Sequence, residues 1–263
     1  MIIDIPTMLP AFIQITLLVV LLVLSVRMIR ESGRSLTAVF LTFVYSLWLF
    51  TDLYWVMYYF IRPGIRMPFA VNEIGEAAAF LLMPALLSSA VNYRLVSARK
   101  QVAGTLLFAV CNVALWVAWS GEWMQDIIIG AAFAYFLCSI ACALKVQRQL
   151  SNYEWIGLGI GCALLIFAQG LTFFAGAQLK PALETGCYIF LIVGIVYWAY
   201  KLISAHKNQT PSKAMLCLVF ALLGWSMMAK YMSEGMWYTV FMATETIAQL
   251  LMYLSVRKVV AEA

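Results

Sequence analysis

The chain has 263 residues, of which 65% are hydrophobic and 11% charged, with a net charge of +5 and a mean hydropathy of +0.92. A soluble domain carries charge on about a quarter of its residues, so this composition excludes a water-facing surface over most of the molecule and makes lipid its solvent. The basic residues are spread among short loops and form no run, a pattern that sets orientation in a membrane and excludes nucleic acid as the partner.

The opening stretch MIIDIPTMLPAF has no basic n-region and no small-residue cleavage site, so its apolar segment is expected to be retained as the first helix. Neither end carries a lipidation motif, and no soluble output domain is expected after the last apolar segment. Segments long enough to span lie near 11–30, 37–61, 71–93, 102–119, 125–145, 154–175, 184–203, 213–230 and 236–256, each close to the ~20 apolar residues that a crossing needs. The expected fold is all-α: a polytopic transmembrane bundle of about nine helices forming one domain over residues 1–263.

The second and third segments carry the densest polar signal. Tyr45, Trp48, Asp52, Trp55 and Tyr59 recur at steps of three and four, so they share one helix face, and that face is expected to point into the bundle. After a turn at Arg62, Pro63 and Gly64 come Asn72, Glu73 and Glu76, the two acids sharing a face. Pro84 falls mid-span and is expected to kink the third helix. On the sixth, Gly157 and Gly161 form a small-residue face suited to close helix approach. The eighth ends in Lys230, and the ninth carries Glu245, Gln249 and Tyr253 on one face.

Charge in the turns alternates. Thirteen of the seventeen basic residues, among them Arg30, Arg99, Arg148, Lys207 and Lys258, fall in alternate turns, which the positive-inside rule places in the cytoplasm. The expected topology is therefore N-terminus outside and C-terminus cytoplasmic, in the cytoplasmic membrane of a bacterium. Each segment that re-enters from outside bears an acid, at Glu73, Asp126, Glu184 and Glu245, spaced 53 to 61 residues apart. A carboxylate near a helix N-terminus relieves free N–H groups, so convergent capping explains this repeat more simply than duplication. Glu245 fits capping poorly, because it lies well inside its segment.

Six cysteines sit singly in apolar segments, without CxxC, and read as packing residues. The one histidine, His206, lies in a loop, which excludes HExxH sites and Ser-His-Asp catalysis; no nucleotide-binding loop occurs. No catalytic residue, metal ligand or cofactor is assigned. What remains is the cost of charge in lipid, roughly 2.5–3.5 kcal/mol at the bilayer centre, which drives such groups to the bundle interior. The candidate ligand-binding residues are Asp52, Trp55, Glu73, Glu76, Gln169, Lys230, Glu245 and Gln249, expected to wall an outward-facing acidic and aromatic pocket with Lys230 offsetting Asp52 and Glu245. Most other aromatics at that level read as an interfacial belt. Carboxylates with aromatic faces suit transport of a small polar or cationic solute; the alternative is a membrane-embedded sensor or accessory subunit. The partners implied are membrane lipid, a small molecule or ion and, for the sensor, a separate signalling protein.

Overall fold

The computed structural model describes residues 5–33, 35–61, 71–121 and 123–262, without the side chains of residues 5–8 and 71–73. Among these it contains nine α-helices: α1 (Ile5–Glu31), α2 (Leu36–Ile61), α3 (Val71–Val91), α4 (Arg99–Ser120), α5 (Trp123–Val146), α6 (Asn152–Thr172), α7 (Lys180–Lys207), α8 (Ser212–Tyr231) and α9 (Gly235–Ala261). A single 3₁₀ turn, Leu95–Ala98, precedes α4, and no strand occurs among the described residues. All nine are long and apolar enough to cross a bilayer; the shortest, of 20 residues, extends about 30 Å at 1.5 Å per residue.

Every helix coincides with an apolar segment of the sequence, with ends shifted by a few residues. The physical reason is that hydropathy marks the lipid-embedded length, whereas helices run on through the interface. Thus α7 and α9 extend to Lys207 and Ala261, and α1 starts at Ile5. The α-helix α3 is continuous through Pro84.

Two helices form the centre. Nearly every residue of α8 from Ala214 to Lys230 is buried, and α5 is enclosed along most of its length. Around them pack α2 with α3, α8 with α9, α4 with α5, and α1 against both α2 and α9, while α6 packs mainly on α4 and α7 among the described residues. The outer helices present bare apolar side chains such as Val23, Leu107, Phe167 and Val196, each more than half exposed. A surface so apolar has no stable arrangement in water. The chain has the build of a multi-pass membrane protein.

Side-chain contacts fix which helix ends lie together. Ser212 at the start of α8 donates to Glu262 past the end of α9 (2.5 Å), Ser89 near the end of α3 to Thr37 at the start of α2 (3.0 Å), and Lys201 late in α7 meets Glu154 at the start of α6 (2.9 Å). Glu154 also closes a capping box with Ser151 and accepts from Tyr197 at 2.9 Å. The spacing Ser-x-x-Glu marks that box in the sequence.

Glycine serves close approach where a ring or helix needs it. A Cβ at Gly194 would lie 2.2 Å from the Trp225 indole, which lies against α7 and donates to the Leu191 carbonyl at 2.9 Å. At Gly75 a Cβ would meet Thr51 Oγ1 at 2.6 Å, so α3 lies tight on α2. The Gly157–Gly161 face behaves differently from expectation. Nothing stands within 4 Å of a Cβ at Gly157, and Gly161 receives the edge of the Phe190 ring rather than a helix backbone.

Candidate functional site

Four helices contribute ionisable side chains to one point in the bundle. Lys230, in the last turn of α8, places Nζ 2.8 Å from Glu245 Oε2 of α9 and 3.6 Å from Glu76 Oε1 of α3. The approach to Glu245 is off the hydrogen-bond direction, so this contact is ionic. Asp52 of α2 lies within electrostatic reach of all three and is bonded to the Gln14 side chain of α1. The group thus holds three carboxyls against one ammonium, with Glu245 at 0% and Lys230 at 9% exposure.

A polar frame holds these groups. Gln249 Nε2 donates to Glu245 Oε1 at 3.2 Å, one turn along α9, and Tyr45 of α2 donates to the Gln249 carbonyl at 2.8 Å. Gln14 Oε1 lies 3.1 Å from the Thr246 hydroxyl, which also lies 2.8 Å from the Met242 carbonyl. Through Asp52 and Thr246, Gln14 therefore ties α1 to both α2 and α9. Four polar atoms of this frame make no hydrogen bond among the described residues: Asp52 Oδ2, Glu245 Oε2, Gln249 Oε1 and the Trp48 indole N–H, while the Tyr231 hydroxyl is buried beside Glu76. Buried polar atoms are nearly always satisfied, so this concentration of orphans makes the frame the candidate site.

The helix positions explain the convergence. On α2 the face carrying Tyr45, Trp48 and Asp52 turns inward, as its spacing requires, while Leu53 is exposed. Val56 is buried as well, packing with Ala11 of α1 and Met242 of α9, because α2 is enclosed by both neighbours toward its end. Trp55 joins the edge of this patch and stacks on Tyr59 with centroids 6.0 Å apart. Glu245 is far from any helix end, since α9 begins at Gly235. Asp126 does sit in a first turn and accepts from Ser120, and Glu184 pairs with Lys180 at 3.8 Å one turn away, so both are held near the start of a helix, whereas Glu245 draws its counter-ion, Lys230, from another helix.

Of the eight residues expected to share a pocket, the structure brings Asp52, Glu76, Lys230, Glu245 and Gln249 together. Trp55 lies in the neighbouring apolar patch with Val56 and Met242, and the Glu73 side chain falls outside the described residues. Gln169 is elsewhere. It lines a cavity of about 330 Å³ between α4, α6, α7 and the end of α8, with Trp116, Lys180, Glu184, Tyr231 and Glu234. Tyr231 belongs to both places, lining the cavity and lying beside Glu76, with Lys230 Nζ 5.4 Å from its ring centroid. So the charged group is a packed polar core, and the open space lies on the other side of Tyr231. Four unpartnered charges around a void would cost far more than the same charges in contact.

Sequence reasoning did not single out Gln14, Thr246 or Trp116. Gln14 was legible as the sole amide within the apolar run of α1; Thr246 and Trp116 resemble many other residues of their kind in the chain. Comparison with family models, curated proteins and solved structures gives no match.

Proposed function

We propose that this protein carries a small polar or cationic solute across the cytoplasmic membrane of a bacterium, with its N-terminus outside, its C-terminus in the cytoplasm, and the Asp52–Glu76–Lys230–Glu245 group as its coupling element. The observation that carries the reading is the excess of buried carboxyls: three on three helices face one ammonium on a fourth. Structure alone does not call for this, since apolar residues of similar volume stabilise a bundle as well or better. A carboxyl without a counter-ion can take up and release a proton or a cation, and one that sits between helices can make that event move them.

The solute-binding place in this reading is the 330 Å³ cavity, where Glu184 and Glu234 outnumber Lys180 and aromatic faces of Trp116 and Tyr231 favour a cation. Tyr231 is the contact between solute and coupling group. The distribution of Lys and Arg among the turns supports the orientation.

The test uses liposomes containing the purified protein and a pH-sensitive dye, to which a panel of small amines and amino acids is added. A member of the panel is expected to move protons with the wild-type protein, and Glu245→Gln, which keeps the bond to Gln249, is expected to abolish that signal at unchanged expression. Equal signals from both proteins overturn the coupling role. Binding of a panel member, followed by Trp fluorescence, without flux of solute or proton favours the sensor, which then acts through a separate protein.

A further inference from the structure

Beside the cavity lined by Gln169, a second and larger space runs along the other half of the same helices. It has a volume of about 590 Å³ and is bounded by α4 from Lys100 to Cys111, α5 from Leu137 to Leu144 and α6 from Trp155 to Ile166, with Trp198 of α7 and Trp225 of α8. Between Lys100 and Cys111 the α4 axis rises about 16 Å, close to half of the ~30 Å hydrocarbon thickness, which is the depth of one leaflet. A slot of this depth and apolar lining suits a hydrocarbon chain of one leaflet.

Its polarity is arranged by position. Lys100, Gln101 and Trp155 lie at one end, where α4 and α6 begin, and the wall beyond them is apolar. Lys100 makes no ion pair among the described residues. The Trp155 indole N–H is buried and makes no hydrogen bond, unlike that of Trp225, which is satisfied by Leu191. No acidic residue lines the slot, and the nearest in sequence, Glu154, is held by Lys201, Tyr197 and Ser151. An exposed ammonium and an orphan N–H at the mouth of an apolar slot require an anionic, oxygen-rich head joined to an alkyl tail.

We infer that this slot is a binding site for an anionic phospholipid of the leaflet at the basic end, with one acyl chain between α4 and α6 and its phosphate at Lys100 and the Trp155 N–H. The site accounts for the peripheral seat of α6, which packs mainly on α4 and α7 among the described residues: the lipid fills the gap that protein leaves between α6 and the centre of the bundle. It rests on the membrane build of the protein and not on the transport reading.

Native mass spectrometry of the purified protein, offered phosphatidylglycerol and phosphatidylcholine with matched chains, tests the site. The wild type is expected to retain one phosphatidylglycerol in preference. Lys100→Glu should weaken that adduct about tenfold, the size of a lost charge-assisted hydrogen bond, and erase the preference. Trp155→Phe, which keeps an aromatic side chain without the N–H, should weaken it several-fold. Gly159→Leu projects into the slot, where nothing stands within 4 Å of a Cβ, and should remove the tight adduct of either lipid while the protein stays folded by circular dichroism. Equal retention of both lipids, unchanged by Lys100→Glu and Gly159→Leu, would mean ordinary annular lipid and overturn the site. So would a dimer in the wild type that Gly159→Leu disrupts, since a second copy would then occupy the slot.

Discussion

Removing the ammonium of Lys230 is the most direct probe of the buried charge group. Lys230→Met keeps most of the side-chain volume and leaves Glu245, Glu76 and Asp52 facing one another without a cation. At an effective dielectric of 20, the gross Coulomb attraction is about 6 kcal/mol for the pair at 2.8 Å and about 5 kcal/mol for the pair at 3.6 Å. Most of this offsets the cost of taking three ions out of water, and the net cost of breaking such a buried pair from one side is about 3–5 kcal/mol. At roughly 2–4 °C per kcal/mol, Tm should fall by about 6–20 °C. The assay is thermal unfolding in detergent, followed by loss of the monodisperse peak on size exclusion. Lys230→Met combined with Glu245→Gln should recover more than half of the loss, because one of the uncompensated carboxylates is then neutral. A Lys230→Met protein as stable as the wild type, or a double variant less stable than the single one, would refute the reasoning, since the cluster would then not depend on its cation.

Two further outcomes follow from other parts of the molecule. Gly194→Leu places side-chain atoms where the Trp225 indole lies, 2.2 Å from the Cβ position, and should destabilise the protein by about 1–3 kcal/mol as an overpacking change, whereas Gly157→Leu, with nothing within 4 Å, should leave Tm unaltered. Cysteine placed at Ser97 or Asn208, both exposed, should resist an impermeant thiol reagent added to intact cells and react after lysis; labelling from outside would invert the proposed topology.

The sequence by itself determined the solvent, the helices and the identity of the costly residues. Lipid demands that each crossing satisfy its own backbone hydrogen bonds, so every apolar run of sufficient length must become a helix, and all nine did. The same logic marked Asp52 and Glu245 as groups unable to face acyl chains, and helical period alone put Tyr45, Trp48 and Asp52 on one face. Those inferences are local, and local chemistry suffices for them.

Which helices meet is another matter, and only the tertiary structure decided it. Helices surrounded by lipid gain little from hydropathy when they associate; their choice of neighbours depends on shape, as where Gly75 admits Thr51 and Gly194 admits Trp225. That geometry brings Glu76 and Lys230 to Glu245 across a separation of more than 150 residues between α3 and α9, and recruits Gln14 from α1. It also places Gln169 across Tyr231, in a cavity apart from the carboxylates with which polarity alone had grouped it. A polar residue in an apolar run announces that it must be buried; the partner that makes burial tolerable is set by packing of helices distant in the chain.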